Sequence, residues 1–471
     1  MQELTQRFVG GRTRVSGLRA VVALRVCDDG SVGSILPLTC LQLRVPGAGA
    51  AVWHAARMLR WLGASVSCEA ENRGSAGDWA ASGVMALTGR CDGAAVLPPG
   101  QAASAVRGAL LALGLLCGDV ALPGVGVLSE RAAIMGLRRD APRSPRGAFR
   151  VLRAADGWVG VNLARSSDVE LLPAWLGVAD PDLDREIVRR GVRELGERAR
   201  LLGLPFAVAS GDDEQSRARG RERPFRLTGG RGVRRASLAP TLVVDLSSLW
   251  AGPLCGHLLT LAGARVVKVE SVSRPDGARS GNREFYDLLH AGQESVALDF
   301  GAPEGRAALA RLVDAADVVI EGSRPRALRQ LGIDADEVLA RSRDKVWISI
   351  TAYGRTGPWA NVPGFGDDAA LAAGLLAFDP MTGVPAPVGD AIADPVTGVN
   401  AALVAVACRL AGGAWLADLA LREQVAATLD VPGEQGPLGE VADPVRRAPA
   451  GRAPELGADT ERVLAELVGR C

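Results

Sequence analysis

The chain has 471 residues, with 54 basic and 53 acidic side chains and a net charge of +1. That balance removes any bulk electrostatic case for binding nucleic acid or a membrane surface. The length suits two or three domains, and 48% hydrophobic with 23% charged residues indicates a globular protein with a real core.

The first segment, 15–140, is rich in small apolar residues and reads as a weakened copy of later text. WLGASV at 61–66 echoes LAGARV at 261–266, and residues 79–118 follow the course of 368–412. Aligning Gly108 with Gly398 sets Ser104 opposite Asp394, so the first copy lacks a carboxylate there. Residues 144–210 have another character. FRVLRAADGWVGV predicts two strands turned at Asp156-Gly157, followed by helical patterns, which suits a small α+β domain. The stretch GDDEQSRARGRERPFRLTGGRGVRR is polar and Gly-rich, so 211–236 reads as a linker.

From 237 to 430 strands and helices alternate. Strands are expected at 241–246, 265–269, 296–299, 317–320 and 346–350. Helices are expected at 253–262 and 303–315, with two short ones between 324 and 342. Two long buried helices should follow, at 367–378 and 395–410. This order predicts an α/β fold with a Rossmann-like parallel sheet beside the small α+β domain. The tail, 431–471, is Pro/Gly-rich and ends in a short helical pattern from 459 to 468.

Chemistry-bearing residues are few. The eight cysteines stand singly without a CxxC pair, which points to buried reduced thiols rather than a metal site. His54, His257 and His290 have no HExxH or HxH spacing, and there is no GxSxG elbow. Catalysis would therefore fall to a carboxylate. The start lacks an apolar signal-peptide core, and the apolar runs at 109–117 and 401–408 are too short to span a bilayer. A cytoplasmic protein without membrane, metal or tightly bound cofactor is the expectation. Only Lys268 and Lys345 are lysines; the other basic residues are arginines.

Six strings occur in one order: VVDLSSLWAGP (243–253), GARVVKVE (263–270), SVALDF (295–300), DVVIE (317–321), YGRTGP (353–358) and ADPVTG (393–398). Together they resemble the class III CoA-transferases, the CaiB/BaiF family that includes formyl-CoA and carnitine CoA-transferases. The resemblance implies transfer of CoA between an acyl-CoA and a small carboxylic acid. It places the nucleophile at Asp394, which would pass through a mixed anhydride and an aspartyl-CoA thioester. Asp-Pro at a helix start is otherwise an ordinary N-cap, and the helix N-terminus would favour the ionised carboxylate. Asp367, Asp368 and Asp390 are nearby alternatives, better read as caps or structural carboxylates.

By the same resemblance the CoA contacts fall on Trp250, Ala251, Arg274, His290, Ala291, Gly292, Gly322, Ser323, Arg324, Phe365, Gly366 and Asp367, with Arg279 a further phosphate candidate. Gln293 and Glu294 stand where the family has a basic pair, and Ser271 where a formyl-CoA transferase has arginine. The racemase branch needs a histidine where this chain has Phe365-Gly366, which disfavours racemisation. A non-catalytic acyl-CoA-binding protein and an acyl-CoA isomerase are the alternatives. The family's interlocked dimers imply a homodimer, unless the first copy closes the ring within one chain.

Overall fold

A computed structural model describes residues 12–15, 18–24, 36–118, 120–209, 223–230, 232–235, 237–431, 433 and 440–468. The N-terminal unit opens with strands β1 (Arg12–Val15), β2 (Leu18–Leu24), β3 (Leu41–Arg44) and β4 (Ser65–Ser67), which form one sheet in that order. Helix α1 (Ala50–Trp61) links β3 to β4, and α2 (Ser75–Ala81), α3 (Ala102–Cys117) and α4 (Glu130–Met135) follow. The hairpin expected at Asp156-Gly157 is β5 (Phe149–Arg153) and β6 (Trp158–Asn162), antiparallel with Arg153 opposite Trp158. Strand β7 (Phe206–Val208) completes that sheet, and α5 (Ser166–Glu170), α6 (Leu172–Leu176), α7 (Leu183–Ile187) and α8 (Val192–Leu202) pack on it around Trp175.

Among the described residues the principal sheet has seven strands. They are β8 (Phe225–Gly229), β9 (Leu242–Asp245), β10 (Arg265–Ser271), β11 (Glu294–Leu298), β12 (Val318–Glu321), β13 (Lys345–Thr351) and, later in the chain, a strand at Ala414–Ala420. Its helices are α9 (Ala251–Leu261), α10 (Arg283–His290), α11 (Pro303–Ala315), α12 (Pro325–Gln330), α13 (Ala335–Ala340) and α14 (Gly366–Ala372). A small hairpin, β14 (Leu376–Phe378) and β15 (Pro385–Pro387), precedes the core helix α15 (Ala393–Ala411). The strand at Ala414–Ala420 is β16, followed by α16 (Leu421–Leu429) and the terminal α17 (Thr460–Val468).

Strand order is β11-β10-β9-β12-β13-β16-β8, parallel except for β8. The chain runs outward from β9 to β11, then returns to start again at β12, so direction reverses between β9 and β12. A crevice opens at such a point beyond the strands' C-terminal ends. Parallel strands covered on both faces are mostly apolar, and all seven residues of β13 are buried. The chain's two lysines are buried as well. Lys268 ion-pairs with Asp276 at 3.3 Å, and Lys345 donates to the carbonyls of Val313 at 2.7 Å and Ala316.

Three expectations need correction. The stretch read as a linker contains β8, an edge strand that turns Phe225 and Leu227 toward the core and leaves Arg226 and Thr228 exposed; residues 210–222 lie outside the described residues. The long helix expected at 367–378 stops at Ala372, because Gly374 takes φ 95 and the chain turns into β14. Cys40 is disulfide-bonded and Cys91 exposed, so the thiols are not uniformly buried and reduced.

The N-terminal unit and the principal sheet share one hydrophobic core. They also share geometry. Gln42 pairs in parallel with Ser65 and Leu43 with Val66, just as Leu242 pairs with Arg265 and Val243 with Val266. Helix α1 crosses α3 where Gly108 meets the Ala51 carbonyl, and α9 crosses α15 where Gly398 meets the Ala251 carbonyl. A methyl added at Gly398 would stand 2.6 Å from that oxygen, so both crossings depend on a missing side chain. Helices α3 and α15 pack on each other and join the two halves.

Candidate functional site

Every residue of α15 is buried except Asp394, in its first turn. The N-cap is Ile392 and no side chain caps this helix, so the Asp394 carboxylate is not spent on its own helix start. The N-termini of α9 and α14 meet it from the other sides. The backbone N–H groups of Ala251 and Gly366, the first residues of those helices, favour its charged form. Three helix starts therefore converge on one carboxylate, two of them offering it a backbone N–H and all three bringing partial positive charge.

Close packing makes this convergence possible. A Cβ on Gly366 would stand 2.6 Å from the Ala391 carbonyl carbon, with Ala391 O and Asp394 Oδ2 nearer still. Two residues beside the site hold left-handed backbone without being glycine: Leu249 at φ 72 and Ala391 at φ 46. Each is tied by a carboxylate, Leu249 N–H by Asp276 at 3.0 Å and Ala391 N–H by Asp367 at 2.8 Å.

The remaining groups set the electrostatics. Arg131, on α4 of the N-terminal unit, grips Asp390 with two hydrogen bonds of 2.7 and 2.6 Å. Its guanidinium also lies 4.3 Å from the centre of the Trp250 ring. Burial pushes Asp394 up to about 6, opposed chiefly by Arg131 and reinforced by Asp390. The helix starts do not hold it down as expected, because desolvation outweighs them. Asp367 is pushed up to about 7 by burial and by the charge of Asp390. Asp368 caps α14 through Phe365 N–H at 2.9 Å and receives Asn162 at 3.3 Å.

Of the expected contact residues, Ala251, Phe365, Gly366 and Asp367 gather around Asp394. Gly322, Ser323 and Arg324 stand at the end of β12, where Gly322 abuts Ser247 beyond β9, at the reversal of strand order. Arg274 is exposed beyond β10. Burial and the guanidinium groups of Arg326, Arg165 and Arg274 push Arg324 below its ordinary value, which marks a basic cluster.

Several of the expected contact residues are buried or already partnered. Trp250 is fully buried, edge-on to Phe285 at 5.5 Å, so its ring supports the site rather than facing solvent. His290 and Ala291 are also core residues. His290 packs on Tyr286 at 4.3 Å, bonds Gln293 at 2.8 Å and is pushed down to about 4 by burial. Only Gly292, at φ 84, is exposed there. Arg279 is committed to Glu270 at 2.7 Å. Gln293 is buried against His290 and the Leu289 carbonyl, while Glu294 pairs with Arg265 at 2.6 Å and Arg462 at 2.7 Å.

Sequence reasoning missed Arg131 and Arg165. Arg165 pairs with Asp168 and lies 5.9 Å from the Phe365 ring. Nothing in the local text around either marks it, since the partner of Arg131 is 259 positions away.

Residues 238–431 match the model of CoA-transferase family III. Succinyl-CoA–D-citramalate CoA-transferase of Chloroflexus aurantiacus is 30% identical over 200 residues, covering 40% of this chain and 50% of that protein. Succinate–glutarate CoA-transferase of Agrobacterium fabrum is 32% identical over 183 residues, covering 35% and 45%. The chain thus spans about half the length of the curated relatives it matches. A solved CAIB/BAIF family protein from Brucella suis is 28% identical with a TM-score of 0.38, covering 41% of this chain and 56% of that one. Residues 238–431 are therefore similar to CoA-transferase family III.

Proposed function

We propose that the protein moves CoA between an acyl-CoA and a carboxylic acid through Asp394. The observation that supports this most is that the one side chain of the core helix that is not fully buried is a carboxylate at the meeting point of three helix starts. The carboxylate attacks the thioester carbonyl and the C–S bond breaks, leaving a mixed anhydride and CoA thiolate. The thiolate then attacks the Asp394 carbonyl, releasing the first acid and leaving an aspartyl-CoA thioester. A second acid reverses both steps, so no net proton is consumed. The N–H groups of Gly366 and Ala251 are placed to hold the oxyanion formed at the Asp394 carbonyl. The cluster of Arg165, Arg274, Arg324 and Arg326 suits the phosphates of CoA.

Succinyl-CoA, the donor named for the Chloroflexus relative, is the first probe. Incubation followed by hydroxylamine should leave a hydroxamate on the Asp394 peptide, detected by mass spectrometry and missing in Asp394→Ala. Tight CoA binding without that product refutes transfer and favours a non-catalytic acyl-CoA-binding protein. Gln293 and Glu294 are the observation behind that second reading, since both are satisfied internally.

The homodimer implied by the resemblance competes with a self-contained chain. The shared core and the matched crossings of α1 with α3 and α9 with α15 favour the latter, with the first segment a repeat of the large domain. Light scattering at 48.8 kDa supports a single chain, and twice that mass supports the dimer.

A further inference from the structure

The starts of the two central helices are treated differently by the opposite half of the chain. At α3, Gln101 N–H bonds the Thr428 carbonyl at 3.0 Å and Gly100 abuts Leu429. Ser104, opposite Asp394 in the alignment, is buried and donates to Asp78 at 2.6 Å. That end is closed. At the start of α15 the N-terminal unit brings in Thr88, which accepts Gly389 N–H at 3.1 Å, and a buried cation, Arg131.

We infer that Arg131 is a positioning residue by which the N-terminal unit completes the Asp394 site, holding the loop from Gly389 to Ala393 in place and balancing its charge. Four observations carry this inference, which rests on the transfer reading above. The guanidinium binds Asp390 two-pronged, four residues before Asp394, and so fixes one end of that loop. It lies over Trp250, the N-cap of α9, whose next residue offers its N–H to Asp394. Arg131 is itself anchored, since its neighbour Glu130 is gripped by Arg447 at 2.9 and 3.0 Å, and Arg447 reaches His257 at 3.0 Å. The charged groups acting on Asp394 are Asp390 and Arg131, with Asp367 beside all three, so Arg131 is the cation among three carboxylates. Arg131 acts on Asp394 by its charge and through its grip on Asp390 and its place over Trp250.

The test reads Asp394 without needing turnover. Carbodiimide couples an amine only to a protonated carboxyl, so peptide mass spectrometry across pH gives the midpoint of Asp394 in the full-length protein. The wild type should show a midpoint near 6. Arg131→Gln leaves Asp390 uncompensated and should raise it by about one pH unit or more. The charge-neutral pair Arg131→Gln with Asp390→Asn removes both charges and should bring the midpoint back toward the wild type. A folded Arg131→Gln protein with the wild-type midpoint overturns the charge-balancing role. Arg131→Lys keeps a cation but loses the two-pronged grip, so the midpoint should hold while CoA capture on Asp394 falls about tenfold. Unchanged capture overturns the positioning role. A wild-type Asp394 that titrates as described but never acquires CoA refutes the proposed function instead, and the midpoints still decide this inference.

Discussion

Gly366→Ala is the sharpest perturbation of the site that leaves every charge in place. The added methyl would lie 2.6 Å from the Ala391 carbonyl carbon, whereas carbon atoms in contact sit at about 3.5–4.0 Å. Something must move by about 1 Å. Ala391 yields poorly, because its backbone already holds φ 46 and its N–H is committed to Asp367. The displacement therefore passes to the Asp394 carboxylate and to the Gly366 N–H that faces it. Overpacking of this kind costs about 1–3 kcal/mol of stability, and a misplacement of about 1 Å at a reacting group costs on the order of 10²-fold in rate. The assay is the rate of hydroxylamine-trappable Asp394 under succinyl-CoA, with a denaturant titration on the same samples. A folded Gly366→Ala protein that captures CoA at the wild-type rate would refute the placement of Asp394 against the start of α14.

Asp394→Asn should abolish CoA capture yet stabilise the fold at neutral pH. Burial raises Asp394 from 3.8 to about 6, so ionising it costs the folded state as pH rises through that window; the variant should gain about 1–3 kcal/mol above pH 6 and nothing below pH 4, read by denaturant midpoints. Gln293→Arg, which restores a basic residue where the family has one, should destabilise by about 1–3 kcal/mol because the position is buried against His290. It should not tighten CoA binding by calorimetry; a clear gain in affinity would place Gln293 on the phosphates after all. Ser104→Asp should cost about 3 kcal/mol by setting a second carboxylate against Asp78, and mass spectrometry should still find one captured CoA per chain.

The β/α alternation from β9 to β13 was legible because buried parallel strands are continuous apolar runs and the helices between them carry a 3.6-residue pattern. Helix 303–315 and the core helix around 395–410 stood out for the same reason. Strand β8 was hidden because an edge strand with one covered face reads as polar loop. Strand β16 went unnoticed because its text, AWLADLA, carries neither helical nor alternating periodicity. Asp394 was reachable as a candidate through the six ordered strings. Arg131 was not, because its role depends on a contact across the whole chain and on the stacking of Trp250, and neither leaves a local signal. The twelve expected contacts mixed two kinds of residue for one physical reason. Position along a strand end is visible in text, but whether a side chain faces the crevice or the core, as at Trp250 and His290, depends on packing from elements far away.

The burial of Lys268 and Lys345 has an experimental consequence. Among the described residues no primary amine of a lysine lies at the surface, where the basic charge is carried by arginine. Amine-directed reagents should therefore leave both lysines of the native protein untouched, and each modification should record an opening of the sheet. Lys268 lies on β10 and Lys345 on β13, on opposite sides of the β9–β12 crevice. The order in which they become reactive with rising denaturant would show which side of the crevice opens first.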